Sequence, residues 1–212
     1  MITGVKELHV VKNFFSAKKQ YELKMKEIEI ALDQIAYNFI NLKNKALIIN
    51  DISKVWINAL SNGNKVIFCG NGGSAADSQH LAAELMGRYK IDRNPMASIS
   101  LTVDTSALTA IGNDYGYEKV FSRQLRGIGK TGDVLVGIST SGNSKNILDA
   151  FQTAKELGIK TVAFTGEGGG AMKKEADLCL NVPSTVTNNI QEMHIACGHM
   201  ICGIVENHFY GK

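Results

Sequence analysis

Apolar and polar positions change rhythm twice along this chain, and the changes divide it into a helical beginning, an alternating middle and a helical end. Over 5–60 there is neither proline nor glycine, and apolar residues such as Leu23, Met25, Ile28, Ile30, Leu32, Ile35 and Phe39 recur at broadly helical spacing. Two or three helices are expected there, with a break and an N-cap at Asn50-Asp51 before a short helix through Trp56. Ser61-Asn62-Gly63-Asn64 is read as its stop. From there, short apolar runs alternate with helical patterns. Strands are predicted at 65–69, 96–102, 133–138, 160–164 and 178–182; helices are predicted over 74–86 with Gly87 as the stop, near 106–111 and 117–125, and over 144–157. Parallel neighbours need crossover connections, so this alternation predicts an α/β fold: a doubly wound, five-stranded parallel sheet flanked by helices. A long amphipathic helix over 189–209 closes the chain. No repeat of fixed period is visible, only a Gly-rich turn, Gly166-Glu167-Gly168-Gly169-Gly170, after the fourth strand.

Composition narrows the class. With 212 residues, 44% hydrophobic content and two prolines, the chain is long enough for one buried core and short for two. One structural domain is expected: a core over 63–212, and a helical region over 1–62 that packs on it and on other subunits. The net charge of +3 comes from lysines and arginines interleaved with acids, which argues against a nucleic-acid-binding stripe. Cys69, Cys179, Cys197 and Cys202 have no CxxC spacing, and three of them sit in apolar contexts, as expected of reduced, cytosolic thiols. Residues 1–15 lack the apolar stretch of a signal peptide, and no run approaches a membrane span. The expected location is the cytoplasm, away from membranes.

Two loops carry the candidate chemistry. Cys69-Gly70-Asn71-Gly72-Gly73-Ser74 closes the first apolar run and opens a helix; Ser139-Thr140-Ser141-Gly142-Asn143-Ser144 does the same after the third. Helix N-termini with glycines and hydroxyls at the ends of parallel strands suit an anion, so a phosphorylated small molecule is the expected ligand. Residues 70–75 also satisfy G-x-G-x-x-A, but a dinucleotide site needs an acid about 20 residues on, at the end of the second strand. Here that strand ends near Asp104, about 30 residues on, so the dinucleotide reading fits poorly. Glycines making a plain tight turn would explain the first loop alone, and one serine of the second could be a helix cap; four hydroxyls there exceed what capping needs.

Acid/base candidates lie on the helix that the first loop opens. His80 and Glu84, four residues apart, share a face and can converge on one ligand or one metal, although an exposed ion pair is the plainer alternative. The last helix adds Gln191, Glu192, His194 and His199. His194 and His199 point about 140° apart, so they serve different surroundings, and His194 reads as a packed or interface histidine. Gln191 and His199 differ by only about 80° but by about 12 Å along the axis, so both reach one ion only if it lies between them.

Laid out this way, the chain resembles the phosphoheptose isomerases of the sugar isomerase (SIS) fold. The resemblance runs from about Gly63 to the C-terminus through CGNGGSAADSQHLAAELMGRY, DTSALTAIGNDYGYEKVFSRQ, GDVLVGISTSGNS and IQEMHIACGH, in the family's order. It implies an aldose–ketose isomerase that converts sedoheptulose 7-phosphate to D-glycero-D-manno-heptose 7-phosphate through an enediol, for bacterial lipopolysaccharide or capsule. It implies Glu84 as general base and His199 as general acid, with His80, Glu84, Gln191 and His199 as zinc ligands. Asn71, Gly72, Gly73, Ser74, Glu84, Asn113, Asp114, Ser139, Thr140, Ser141, Ser144 and Gln191 would touch substrate, and the assembly would be a homotetramer. Two departures stand out: Asn189, with Asn188 beside it, occupies the family's usual basic position, and the N-terminal region is some 20 residues longer than usual. A non-catalytic sugar-phosphate regulator or replication-initiator-associated protein on the same fold is the rival reading. The presence of both Glu84 and His199 speaks against it, and one SIS unit rather than two speaks against an amino-sugar isomerase.

Overall fold

The computed structural model describes residues 3–211, with side chains from Gln20 to Gly211, so that the side chains of the first 19 residues, His9 among them, fall outside the description. The chain divides into two units, 1–41 and 42–212. From residue 3 on, the first lies within α1 (Thr3–Leu42), on which Leu23, Ile28, Ile30, Leu32, Tyr37 and Ile40 are all exposed.

The second unit opens with a 3-10 turn (Lys43–Lys45) and α2 (Ala46–Ser61). The break expected at Asn50-Asp51 is absent, because both residues lie inside α2. Ile49, Ile52, Trp56 and Ala59 form a buried stripe at helical spacing straight across that point, while Asp51 stays on the exposed side and pairs with Lys54 at 3.0 Å. Burial of the stripe outweighs the local preference of Asn-Asp for a helix start.

Five strands follow: β1 (Val66–Gly70), β2 (Ser98–Ser100), β3 (Val134–Ser139), β4 (Lys160–Thr165) and β5 (Leu178–Asn181). They form one sheet in the order β2-β1-β3-β4-β5, and every pairing is parallel. The predicted doubly wound sheet is therefore present, with one strand shorter than expected. β2 is an edge strand of three residues, since Pro95 precedes it and the N–H of Met96 donates to Leu85 O instead of joining the sheet.

Between and after the strands run α3 (Gly73–Met86), α4 (Thr105–Tyr115), a 3-10 turn (Tyr117–Lys119), α5 (Val120–Ile128), α6 (Lys145–Glu156), α7 (Met172–Glu175) and α8 (Thr187–Tyr210). The sheet is buried on both faces, which is why its central strands read as unbroken apolar runs. Phe68, Val136, Val162 and Phe164 face α2, α3 and α8, with Trp56 packed edge-on against Phe68 at 5.3 Å. Ile67, Leu135 and Ala163 face α5 and α6 through Leu125, Ile147 and Phe151. The helices after β1 and β3 thus cover opposite faces of adjacent strands. A crevice opens between them at the strands' carboxyl ends, where open parallel sheets bind ligands.

All four cysteines are free. No helix among the described residues is long and apolar enough to cross a membrane.

Candidate active site

The two predicted anion loops meet at that crevice. In the first, Gly72 adopts φ +56°, a left-handed conformation that a side chain would strain, and it turns the chain from β1 into α3. Gly73 then lies under α8: a Cβ there would stand 2.6 Å from Nε2 of Gln191, so any side chain at this position would push the Gln191 amide aside. At the start of α3 the N–H groups of Ser74 and Ala75 turn back to Asn71 O and Gly72 O at 3.0 Å each, while those of Gly72 and Gly73 have no backbone acceptor among the described residues and border this space. In the second loop, Ser139 Oγ lies 2.8 Å from Ser144 Oγ and 3.4 Å from Ser141 Oγ. Ser144 precedes α6 without capping it through its side chain, so these hydroxyls converge on one another and on the crevice. The backbone carbonyl of Thr140, the remaining predicted member, accepts from Gly166 N at 3.0 Å.

A reciprocal amide pair ties the loops together. Asn71 Nδ2 donates to Asn146 Oδ1 at 3.0 Å, Asn146 Nδ2 donates back to Asn71 Oδ1 at 2.8 Å, and the Tyr117 hydroxyl adds a bond to the same Asn71 oxygen at 3.2 Å. Neither Asn146 nor Tyr117 was foreseen from the sequence. Both lie in stretches where one asparagine or tyrosine looks like any other, and only the meeting of β1 and β3 gives them a partner. Asn113 and Asp114, at the end of α4, are exposed and bonded to each other at 2.8 Å. Among the described residues neither hydrogen-bonds to the loops or to the acid/base groups.

Those groups assemble along α3 and α8, which run side by side in the same direction. Gln191 sits over Gly73 near the start of both helices, Gly198 abuts Leu81 further along, and His199 reaches His80 and Glu84. His80 Nε2 lies 3.1 Å from Glu84 Oε1 and 3.2 Å from His199 Nε2, and Glu84 Oε1 is 4.0 Å from His199 Nε2. The ion-pair alternative for His80 and Glu84 accounts for the first contact and leaves His199 unexplained. Both imidazole nitrogens at the 3.2 Å contact cannot carry protons, and His80 Nε2 also faces the carboxylate, so the three atoms compete for too few protons as they stand.

Two neighbours complete the electrostatics. Asp77, one turn before His80, has a buried Oδ2 without a hydrogen-bond partner among the described residues. Burial pushes its carboxyl up to about 6, against a pull from His80. Burial, followed by Cys202, Glu84 and Glu206, raises the Tyr89 phenol and keeps it neutral. The i−3 spacing of Asp77 from His80 was a readable signal. His194 faces away, as its angle on the helix predicted: it is fully buried, its Nε2 is 3.1 Å from Thr165 O, and burial lowers its pKa to about 4. Asn189 is buried and accepts a bond from Asn188 at 2.8 Å.

Residues 32–166 match the SIS domain family. The phosphoheptose isomerase of Akkermansia muciniphila is 60% identical over 177 residues, which is 84% of this chain and 94% of that relative. The solved structure of the phosphoheptose isomerase GmhA from Neisseria gonorrhoeae superposes with a TM-score of 0.82 at 40% identity, covering 86% of this chain and 98% of that one. A phosphoheptose isomerase structure from Francisella tularensis gives 0.84 at 35% identity, covering 87% and 98%. With its parallel sheet, its paired loops and this degree of likeness, the chain belongs to the phosphoheptose isomerase family of SIS-domain enzymes.

Proposed function

We propose that the protein interconverts sedoheptulose 7-phosphate and D-glycero-D-manno-heptose 7-phosphate, with Glu84 as the base and His199 as the acid. The observation that carries this reading is the convergence of Glu84 and His199 to 4.0 Å at the far end of a helix whose beginning is an anion loop. From Gly73 to Glu84 α3 rises about 16 Å, shortened by side chains that lean back toward the helix start, and an opened seven-carbon phosphate would reach along it from the anion loop toward that pair. The phosphate would be held by Ser139, Thr140, Ser141 and Ser144, and by the N–H groups of Gly72 and Gly73. Remote binding energy then holds the reacting carbons in place. Glu84 takes the proton from C1 of the ketose while an N–H of His199 gives one to the C2 oxygen, forming the enediol. Glu84 then returns a proton to C2 as the C1 hydroxyl gives its own to His199, leaving the aldose.

Zinc is the cofactor proposed, and the donors fit it. Zinc–nitrogen bonds of about 2.0–2.1 Å in a tetrahedron separate ligand atoms by roughly 3.3 Å, close to the 3.1 and 3.2 Å contacts of His80 with Glu84 and His199, while the third separation, Glu84 to His199, is 4.0 Å and would have to close slightly on an ion. An ion would also relieve the competition for protons among these atoms. His80, Glu84 and His199 would hold it, with Gln191 proposed as the fourth ligand. When bound, it would polarise the carbonyl and stabilise enediolate charge. A homotetramer is the proposed assembly, with the exposed apolar residues of α1 among the surfaces it would cover.

The test is incubation with sedoheptulose 7-phosphate in D2O, followed by NMR, before and after chelation and with zinc restored. Aldose should appear with deuterium at C2, fall at least tenfold after chelation and return with zinc. Absence of both product and exchange in the zinc-loaded protein would reject the isomerase reading; full turnover after chelation would reject the metal. Ser141→Ala should raise KM about tenfold, the worth of one charge-assisted hydrogen bond, and an unchanged KM would remove that loop from the phosphate site.

A further inference from the structure

A side chain that must present one ring nitrogen needs something to hold the ring. A catalytic or metal-binding histidine usually achieves this by a hydrogen bond from its other nitrogen to a carboxylate or carbonyl. Among the described residues no protein group bonds to Nδ1 of His199; its recorded hydrogen-bond contact is through Nε2, to His80. What holds the ring is an aromatic face. Tyr89 stacks on His199 with centroids 5.6 Å apart and planes 22° from parallel, while His80 meets the same imidazole edge-on at 4.9 Å and 73°. Rotation of His199 away from Glu84 would have to displace the tyrosine.

The tyrosine is itself fixed from the helix that carries His199. Its ring rests at Gly203, one turn beyond His199 on α8, where a Cβ would stand 3.2 Å from Tyr89 Cε1. Its loop is gripped by Glu206, two turns beyond His199, whose carboxylate accepts from the N–H groups of Tyr89, Lys90 and Ile91 at 3.0, 2.7 and 3.0 Å. Arg93 closes the arrangement. Its Nε donates to Glu206 at 3.1 Å, and its terminal nitrogens donate to the carbonyls of Glu84 and Leu85 at 2.8 and 2.7 Å. Both side chains are only 1% exposed. One buried pair therefore ties the last turn of α3, with the base, to α8, with the acid, and seats the ring that covers the acid.

We propose that Tyr89 is a positioning residue for the proton transfer, its ring setting the orientation of the His199 imidazole and the buried Glu206–Arg93 pair holding that ring in place. The proposal rests on the isomerase reading for its effect on rate, and on geometry alone for its effect on His199. A misplacement of about 1 Å at a reacting group costs on the order of 10²-fold in rate, so a loosened acid should lower kcat and leave phosphate binding alone. Tyr89→Leu removes the aromatic face from a half-buried position, and Tyr89→Phe keeps it.

The test uses the full chain, with kinetics on sedoheptulose 7-phosphate and NMR of the His199 ring protons in histidine-labelled protein. Tyr89→Leu should lower kcat about tenfold or more with KM little changed, and should shift the His199 ring signals by loss of the tyrosine ring current. Tyr89→Phe should restore both. Unmoved His199 signals in Tyr89→Leu, an unchanged kcat, or a loss confined to KM would each overturn the proposal. Should the wild-type protein fail to isomerise the sugar, the functional reading falls, and the ring signals of the two variants decide the positioning role by themselves.

Discussion

Glu84→Gln is expected to fold like the wild-type protein and to lose turnover by on the order of 10³-fold, the middle of the range that a positioned acid or base contributes. The carboxamide keeps the shape of the side chain and an oxygen to face His80 Nε2, now 3.1 Å from Oε1. What it removes is the basicity needed to take a proton from carbon. His199→Gln should give a loss of similar size, because Gln can place a nitrogen near the position of Nε2 yet cannot cycle a proton at neutral pH. In both variants KM should stay within a few-fold of wild type, since the serine loop and the start of α3 are untouched. Zinc content has to be measured alongside, because each residue is also a proposed ligand. A variant that keeps its zinc and loses kcat isolates the proton transfer, whereas one that loses both and regains rate at high zinc reports a ligand. Near wild-type turnover in either variant would reject the assigned roles.

The doubly wound sheet was legible because parallel strands covered on both faces must be apolar throughout, and Val66-Ile67-Phe68-Cys69 and Val134-Leu135-Val136-Gly137-Ile138 read as such without any partner in view. The pairing of His80 with Glu84 was legible for an equally local reason, since four residues make one helical turn. Errors arose where local and distant preferences disagree. Asn50-Asp51 carries the chemistry of a helix start, but Trp56 and Ile52 belong to a stripe that begins before it. The four-residue α7 follows a glycine run and has too few apolar positions to show a period. The joining of Asn71 to Asn146, 75 residues apart, and of Arg93 to Glu206, 113 apart, depends on which strands and helices become neighbours. Periodicity carries no information about that choice, so these supporting residues were invisible, whereas His80, Glu84 and His199 could be singled out as candidates.

Removing the carboxylate of Glu206 should produce the largest stability change in the second unit. Glu206→Gln is expected to cost about 3–5 kcal/mol, because it leaves the Arg93 charge buried without its partner. It also weakens the acceptor for three backbone N–H groups, each of which costs about 1–3 kcal/mol if left unsatisfied. That second cost separates this pair from an isolated buried ion pair, which apolar residues can often replace. Arg93→Met with Glu206→Leu should therefore fail to restore stability, since the N–H groups of Tyr89, Lys90 and Ile91 would still face an apolar side chain. For a chain of this size the single variant should melt about 10 °C lower, at roughly 2–4 °C per kcal/mol. The pH dependence fixes the sign. Burial alone would raise the Glu206 carboxyl, but the bonds from Lys90, Tyr89, Ile91 and Arg93 outweigh it and hold the folded-state pKa below the ordinary value. A carboxyl depressed by folding stabilises fully above its unfolded pKa of about 4.3 and loses that contribution as pH falls through the folded value. The gap in melting temperature between wild type and Glu206→Gln should thus be full at pH 7 and narrow below about pH 4. A gap of under about 2 °C at pH 7, below the shift expected for 1 kcal/mol, would mean that the loop carrying Tyr89 is held by something other than this carboxylate.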